Sequence, residues 1–181
     1  MHWIIQSLTV FIFGISTTFA FAQDNIEADT PSKTGLYVAE THQDWQVRCI
    51  YVNEGSEPCQ MYQLLTDANG TAVAEISVFP LPPGNQAVAG ATFVAPLGTH
   101  LPEGVGMMID EGTPRVYNFD HCNPNGCVAR MGFTQAELDQ LKAGNTANIR
   151  LISVSLPDPV IIPMSLAGFT ASFAKSTILE N

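Results

Sequence analysis

About nine short runs of β-forming residues, divided by turn signals at roughly ten-residue intervals, constrain this chain more than any other feature of it. "WQVRCIYV" (45–52) alternates, placing Trp45, Val47, Cys49 and Tyr51 on one face. "CQMYQLLT" (59–66) follows a polar "NEGSEP" loop, "AVAEISVFP" (72–80) follows "DANG", and "QAVAGATFVAP" (86–96) follows "PPGN". "VGMMID" (105–110) and "RVYNFD" (115–120) flank "EGTP" as a hairpin, and "CVARMGF" (127–133) continues it after "NPNG" as a three-stranded meander. "TANIRLISVS" (146–155) and "PVIIPM" (159–164) complete the set. Short strands at this spacing predict an all-β fold, an antiparallel β-sandwich or partly open barrel, rather than βαβ units.

Two short helices interrupt the pattern. "TQAELDQLKAG" opens with Thr134 as N-cap and Glu137 three positions on, a capping box, and stops at Gly144. Leu138 and Leu141 then face the sheet. In "SLAGFTASFAK", Ser165 is placed to cap, and Leu166, Phe169 and Phe173 share a helical face. That face reads as a seal over an open end of the sandwich. A membrane-surface helix is disfavoured because Lys175 is its one basic residue.

The N-terminus predicts the compartment. Residues 3–15, "WIIQSLTVFIFGI", are largely apolar, and "STTFAFA" then supplies small residues at Ala20 and Ala22. This is the layout of a secretory signal peptide over residues 1–22, shorter than the ~20 apolar residues of a membrane span. Residues 23–41 read as a flexible acidic lead-in, and residues 42–181 as a single domain. The expected outcome is export with cleavage after Ala22 and no membrane span thereafter.

All seventeen Asp and Glu and all seven Lys and Arg lie beyond residue 22, so the exported chain keeps a formal charge of −10. Such a chain repels phosphate backbones and disfavours nucleic acid as a partner.

An exported chain with four cysteines points to disulfides. Three connectivities exist, and Cys49 with Cys59 and Cys122 with Cys127 asks least of the topology. In "FDHCNPNGCVARMGF" the C-x4-C spacing across a turn suits a structural bridge better than thiol exchange, which usually uses C-x-x-C at a helix start. Zinc is disfavoured as well. His121 and Cys122 are adjacent, and neighbours in a strand point to opposite faces.

No motif points to catalysis. After export the histidines are His42, His100 and His121, none within a local motif, and G-x-S-x-G, H-E-x-x-H and S-x-x-K are absent. The chain therefore reads as non-enzymatic, with no catalytic, cofactor or metal residues assigned. The alternative is a small periplasmic hydrolase whose residues meet only in space. Asp110, Glu111 and Asp120 offer carboxylates for a Ca²⁺ cluster, but no EF-hand or glycine-rich repeat frames them, and they read as solvated hairpin ends. "PLGTHLPEGVGMMID", rich in Gly, Pro and Leu, is the stretch that offers binding surface, with Met107 and Met108 pointing one inward and one outward. The partner expected is a protein or envelope component, and a homo-oligomer is compatible with the sequence.

Finally, "DWQVRC", "CQMYQ", "APLGTHLPEGVGMMID", "CNPNGCVAR", "ELDQLKAG" and "IIPMSLAGFTASF", in that order, resemble the invasion-associated locus B family over about Asp44 to Ala174. The resemblance implies a β-sandwich-like envelope protein of a Gram-negative bacterium, periplasmic or secreted or outer-membrane associated, with a virulence-related role in host-cell interaction, and it brings no catalytic residues. The chain departs from the family at Ala167, where a basic residue is common.

Overall fold

The computed structural model describes residues 35–67 and 69–178. The expected signal peptide, and the lead-in as far as residue 34, lie outside the described residues. Eleven strands are present among those described: β1 (Leu36–His42), β2 (Trp45–Ile50), β3 (Cys59–Thr66), β4 (Ala72–Pro80), β5 (Ala89–Ala95), β6 (Val105–Ile109), β7 (Arg115–Tyr117), β8 (Phe119–Asn123), β9 (Gly126–Phe133), β10 (Thr146–Leu151) and β11 (Val160–Ser165). Helix α1 (Gln135–Ala143) lies between β9 and β10, and α2 (Phe169–Phe173) follows β11. A seven-stranded sheet runs β1-β2-β3-β4-β5-β9-β8, and a four-stranded sheet runs β11-β10-β6-β7. Each pairing is antiparallel, neither sheet closes on itself, and the two share one core.

Eleven strands stand where about nine were expected, and the two additions have separate causes. β1 forms from residues read as lead-in, because "LYVAETH" pairs along β2 from Leu36↔Ile50 to His42↔Trp45 despite its polar composition. Tertiary pairing overrides a weak local signal there. The run 115–120 is two strands. β7 pairs with β6 in the small sheet, and after the exposed Asn118 the chain crosses to the large sheet as β8. The expected meander is thus divided between layers. Tyr117 and Phe119 both pack on the core, as period two demands, but they approach it from opposite sheets.

Core packing follows from the register. On the facing strands β5 and β9, Ala89 opposes Phe133, Ala91 opposes Met131 and Phe93 opposes Ala129, so each large side chain has a small neighbour beside it. Burial of an aromatic side chain such as Phe93 contributes about 1.5 to 3 kcal/mol. The small sheet supplies Val105, Met107, Ile149, Leu151, Ile162 and Met164 to the same core.

The helices close the sandwich. In α1 the Thr134–Glu137 capping box is formed in both directions, and Leu138 and Leu141 are buried. In α2 the N-cap is Gly168 rather than the expected Ser165, which ends β11 and accepts the Ala167 N–H on its hydroxyl at 3.2 Å. Gly168 is left-handed, φ 86°, and a Cβ there would lie 2.0 Å from the His42 carbonyl oxygen. The close approach explains why the helix starts so late. It delivers Phe169 edge-on to Trp45, ring centroids 5.3 Å apart, with both side chains fully buried.

Candidate functional site

The four cysteines form two cross-strand bridges. Cys49 lies opposite Cys59 in the β2–β3 register and Cys122 opposite Cys127 in β8–β9, and each pair is bonded. In the second hairpin, Asn123 accepts the Asn125 N–H at 2.8 Å and pairs with Gly126, closing a two-residue turn of Pro124 and Asn125. A Cβ on Gly126 would fall 2.5 Å from the Ala95 carbonyl oxygen, so glycine lets the hairpin end lie close to β5. His121 faces Asp120 at 3.2 Å, and Arg130 reaches the same carboxylate oxygen at 3.4 Å.

The other polar candidates are dispersed. His42 on β1 contacts Glu40 at 2.9 Å, and the ammonium of Lys175 reaches the same carboxylate at 3.0 Å. Lys175 foremost holds the Glu40 carboxyl below its usual range. His100 lies ahead of a 3-10 turn (Leu101–Glu103), its N–H donating to Ile152. Among the described residues no hydroxyl hydrogen-bonds to a histidine ring. Asp110 is left-handed, φ 45°, and its carboxylate accepts the Asn145 and Thr146 N–H groups. It thereby ties the β6–β7 turn to β10. Asp120 is on the other sheet, so the structure does not gather Asp110, Glu111 and Asp120 into one cation site.

Two recesses compete as binding sites. The first, about 290 Å³, lies between the β6–β7 hairpin and α1 and is lined by Met107, Ile109, Arg115, Glu137 and Ala143 among others. Its charged groups are already paired, Arg115 with Glu137 and Asp110 with backbone N–H groups. These charged groups thus serve the fold.

The second, about 250 Å³, opens between the sheets at the end formed by the start of β4, the loop after β5, and the β10–β11 connection. Val73, Pro96, Leu97, Leu156, Val160 and Ile162 make its walls mostly apolar. Leu97 is 60% exposed, Leu156 54% and, on the adjoining loop, Val154 65%. Two large apolar side chains this exposed in one opening, with Val154 nearby, are the mark of an interaction site. Thr99 donates to Pro96 O at 2.8 Å, and Asp67 accepts the Thr71 and Asn69 N–H groups, which hold its carboxyl below the usual range.

The stretch "PLGTHLPEGVGMMID" contributes Pro96 to Thr99 to this cleft, while Met107 is buried and Met108 half-buried. The opposite wall comes from Leu151 to Ile162, which the sequence marked only as strand and loop. An exposed leucine in a Pro-rich loop carries no period, so only the fold shows that Leu156 and Leu97 flank one opening.

Residues 45–177 match a family described as "Invasion associated locus B (IalB) protein". The invasion protein B homologs of Brucella abortus strain 2308 and of Brucella abortus biovar 1 strain 9-941 are each 28% identical over 165 residues, covering 90% of this chain and 92% of theirs. The crystal structure of invasion associated protein B from Bartonella henselae superposes with a TM-score of 0.64 at 23% identity, over 75% of this chain and 92% of that one. It has the same fold.

Proposed function

The chain belongs to the invasion-associated locus B family, and from that premise we propose that it is an exported, non-enzymatic binding or accessory protein of the cell envelope, acting through the apolar cleft at the open end of its sandwich. The observation that carries this reading is the cleft itself, lined by the exposed Leu97 and Leu156. Water-facing apolar surface is costly, and a partner that covers it recovers roughly 25 cal/mol per Å².

Export is supported by the layout of residues 1–22 and by the use of all four cysteines in bridges, which persist in oxidising compartments. On this reading the chain is periplasmic or outer-membrane associated in a Gram-negative cell. The names of the Brucella and Bartonella relatives speak of invasion, and a contribution to host-cell contact is the corresponding role here. A hydrolase is the weaker reading, since His42, His100 and His121 sit on separate elements.

The test is site-directed photo-crosslinking in intact cells, with the reactive group placed at Leu156, at Leu97 or, as a control, at Val116, which is 64% exposed on β7. Adducts from the cleft positions that the control lacks support the reading. Equal labelling at all three, or none, overturns it. Export is tested by cell fractionation: the intact chain is released by osmotic shock, whereas a chain starting at Gln23 stays in the cytoplasm.

A further inference from the structure

The two sheets end in four edge strands among the described residues, β1 and β8 in the large sheet, β11 and β7 in the small one. Three of these edges are blunted. β1 and β8 each carry a register shift, between Val38 and Glu40 and between Phe119 and His121, and β7 has three residues. β11 pairs with β10 along all six of its residues without a shift.

Three contacts set the parity of β11. Pro163 has no N–H for a ladder, Ser165 turns both its N–H and its C=O to the Gln63 side chain, and Leu166 N–H donates to Asn145 O. Even-numbered residues therefore bond to β10, and odd-numbered ones face the edge. Ile161, 54% exposed, faces it with an N–H and a C=O that no described residue takes. That part of the edge borders the cleft, because Val160 and Ile162, on either side of Ile161, line it. In a strand laid beside β11, the residues flanking the one opposite Ile161 point to the face of Val160 and Ile162. The strand that bonds Ile161 thus sets an apolar side chain against the cleft.

Charge selects the occupant. The cleft-lining residues fall within 67–73, 96–99 and 151–162, stretches that hold Asp67 and Asp158 and no Lys or Arg. Asp67 Oδ1 accepts the Asn69 and Thr71 N–H groups, while Oδ2 takes no hydrogen bond among the described residues. Arg150, opposite Ile161 in the register, is exposed between buried Ile149 and Leu151, so it stands on the outer face of the small sheet, away from the cleft.

We propose that a partner protein adds an extended, basic segment to β11 at Ile161, an apolar side chain entering the cleft and a Lys or Arg meeting Asp67. The proposal deepens the cleft's role as the contact surface and rests on it. A second copy of this chain is disfavoured, since β11 paired with itself joins two acidic rims with no Lys or Arg between residues 151 and 174. The volume, about 250 Å³, lies below that of drug-sized pockets and suits one anchoring side chain.

The test is a titration of the purified protein with a short synthetic peptide of alternating Val and Lys, and with its counterpart of alternating Val and Glu, followed by NMR. The Val-Lys peptide is expected to slow hydrogen exchange at the Ile161 amide, to shift the methyl signals of Leu156, Val160 and Ile162, and to bind at least tenfold more tightly than the Val-Glu peptide. Ile161→Pro removes the edge donor without taking a bond from the β10 ladder, as Pro163 already does, and is expected to abolish binding with melting unchanged. Methylating the peptide's backbone nitrogens along one edge is expected to abolish binding to the parent protein, which keeps the test independent of how the variant folds. Binding indifferent to both changes overturns strand addition and leaves the cleft as a contact surface. Equal binding of the two peptides overturns the basic occupant, and a dimer seen by sedimentation and lost in Ile161→Pro overturns the heterologous partner in favour of a second copy. If neither peptide binds while Leu156 still crosslinks to a protein in cells, strand addition is overturned and the proposed function stands. Absence of both binding and crosslinks overturns both.

Discussion

Gln63 and Ser165 face each other across the sandwich as two amides: Gln63 Oε1 accepts the Ser165 N–H at 3.1 Å, and Gln63 Nε2 donates to Ser165 O at 3.0 Å. The same Nε2 donates to Asp44 O at 3.2 Å, and Trp45 Nε1 donates to Ser165 O at 2.9 Å. β3 of the large sheet is thereby fastened to β11, an edge of the small one, by a side chain that is only 6% exposed. A buried amide is costly unless its groups are satisfied, and here every partner lies where the two layers meet.

Replacing Gln63 by Met keeps the volume and leaves the Ser165 N–H and the Asp44 carbonyl without these partners. The expected loss is about 1 to 3 kcal/mol, read in urea unfolding, with melting lowered by about 2 to 4 °C per kcal/mol. Gln63→Glu is expected to cost more at neutral pH, since it removes the donor and buries a charge. A Met variant as stable as the parent would show that the pair adds nothing to layer docking.

Tyr117 gives the opposite sign. Its hydroxyl is buried with no hydrogen-bond partner among the described residues, so Tyr117→Phe is expected to be neutral or to stabilise by up to about 1 kcal/mol at pH 7. Burial also pushes the Tyr117 phenol up, and burial together with the Glu75 carboxylate pushes up Tyr62. Above the ordinary tyrosine value of about 10 the unfolded chain loses these protons before the folded one. Stability is therefore full below that pH and falls as pH rises through the raised folded values. Melting curves across this range are expected to fall less steeply for Tyr117→Phe than for the parent.

The bridges are separable. Cys122 with Cys127 closes a loop of about 6 residues and Cys49 with Cys59 one of about 11, each contributing about 2 to 3 kcal/mol in the chain-entropy description. Paired Cys→Ser replacement of either bridge is expected to lower the urea midpoint and raise protease sensitivity. Cleft binding is expected to survive wherever the protein remains folded, because no cysteine lines the cleft. Loss of binding in a Cys122→Ser, Cys127→Ser protein of undiminished stability would mean the bridge belongs to the site.

Gly168→Ala tests the helix seal. A methyl group cannot occupy the space 2.0 Å from the His42 carbonyl oxygen, and φ 86° is itself unfavourable for alanine. α2 must shift, taking Phe169 off Trp45, and the near-ultraviolet circular dichroism of that aromatic pair is expected to collapse with a loss exceeding about 1 kcal/mol. An unchanged spectrum would show that α2 is seated independently of this turn.

Several of these features were legible before folding. The strand runs from "WQVRCIYV" to "PVIIPM" are recovered as β2 to β6 and β9 to β11 because period-two alternation records which residues face a core. The capping box of α1 was legible since cap and partner lie three residues apart. The sequence left the cysteine pairing open among three connectivities, and the structure realises the local one. The Asn118 crossing was hidden: alternation continues through it, and period two carries no label for the sheet. Gln63 was equally silent, an amide between Met61 and Leu65 with its partner 102 positions away.

What this sequence determined by itself is therefore local: strands, one capped helix, and turns tight enough to be bridged. Each rests on residues a few positions apart, whose interactions do not depend on the rest of the chain. The tertiary structure decided which layer takes each strand, where Gln63 finds its amide, and that Leu97 and Leu156 border one opening. These depend on groups brought together from distant positions, and no periodicity records that distance.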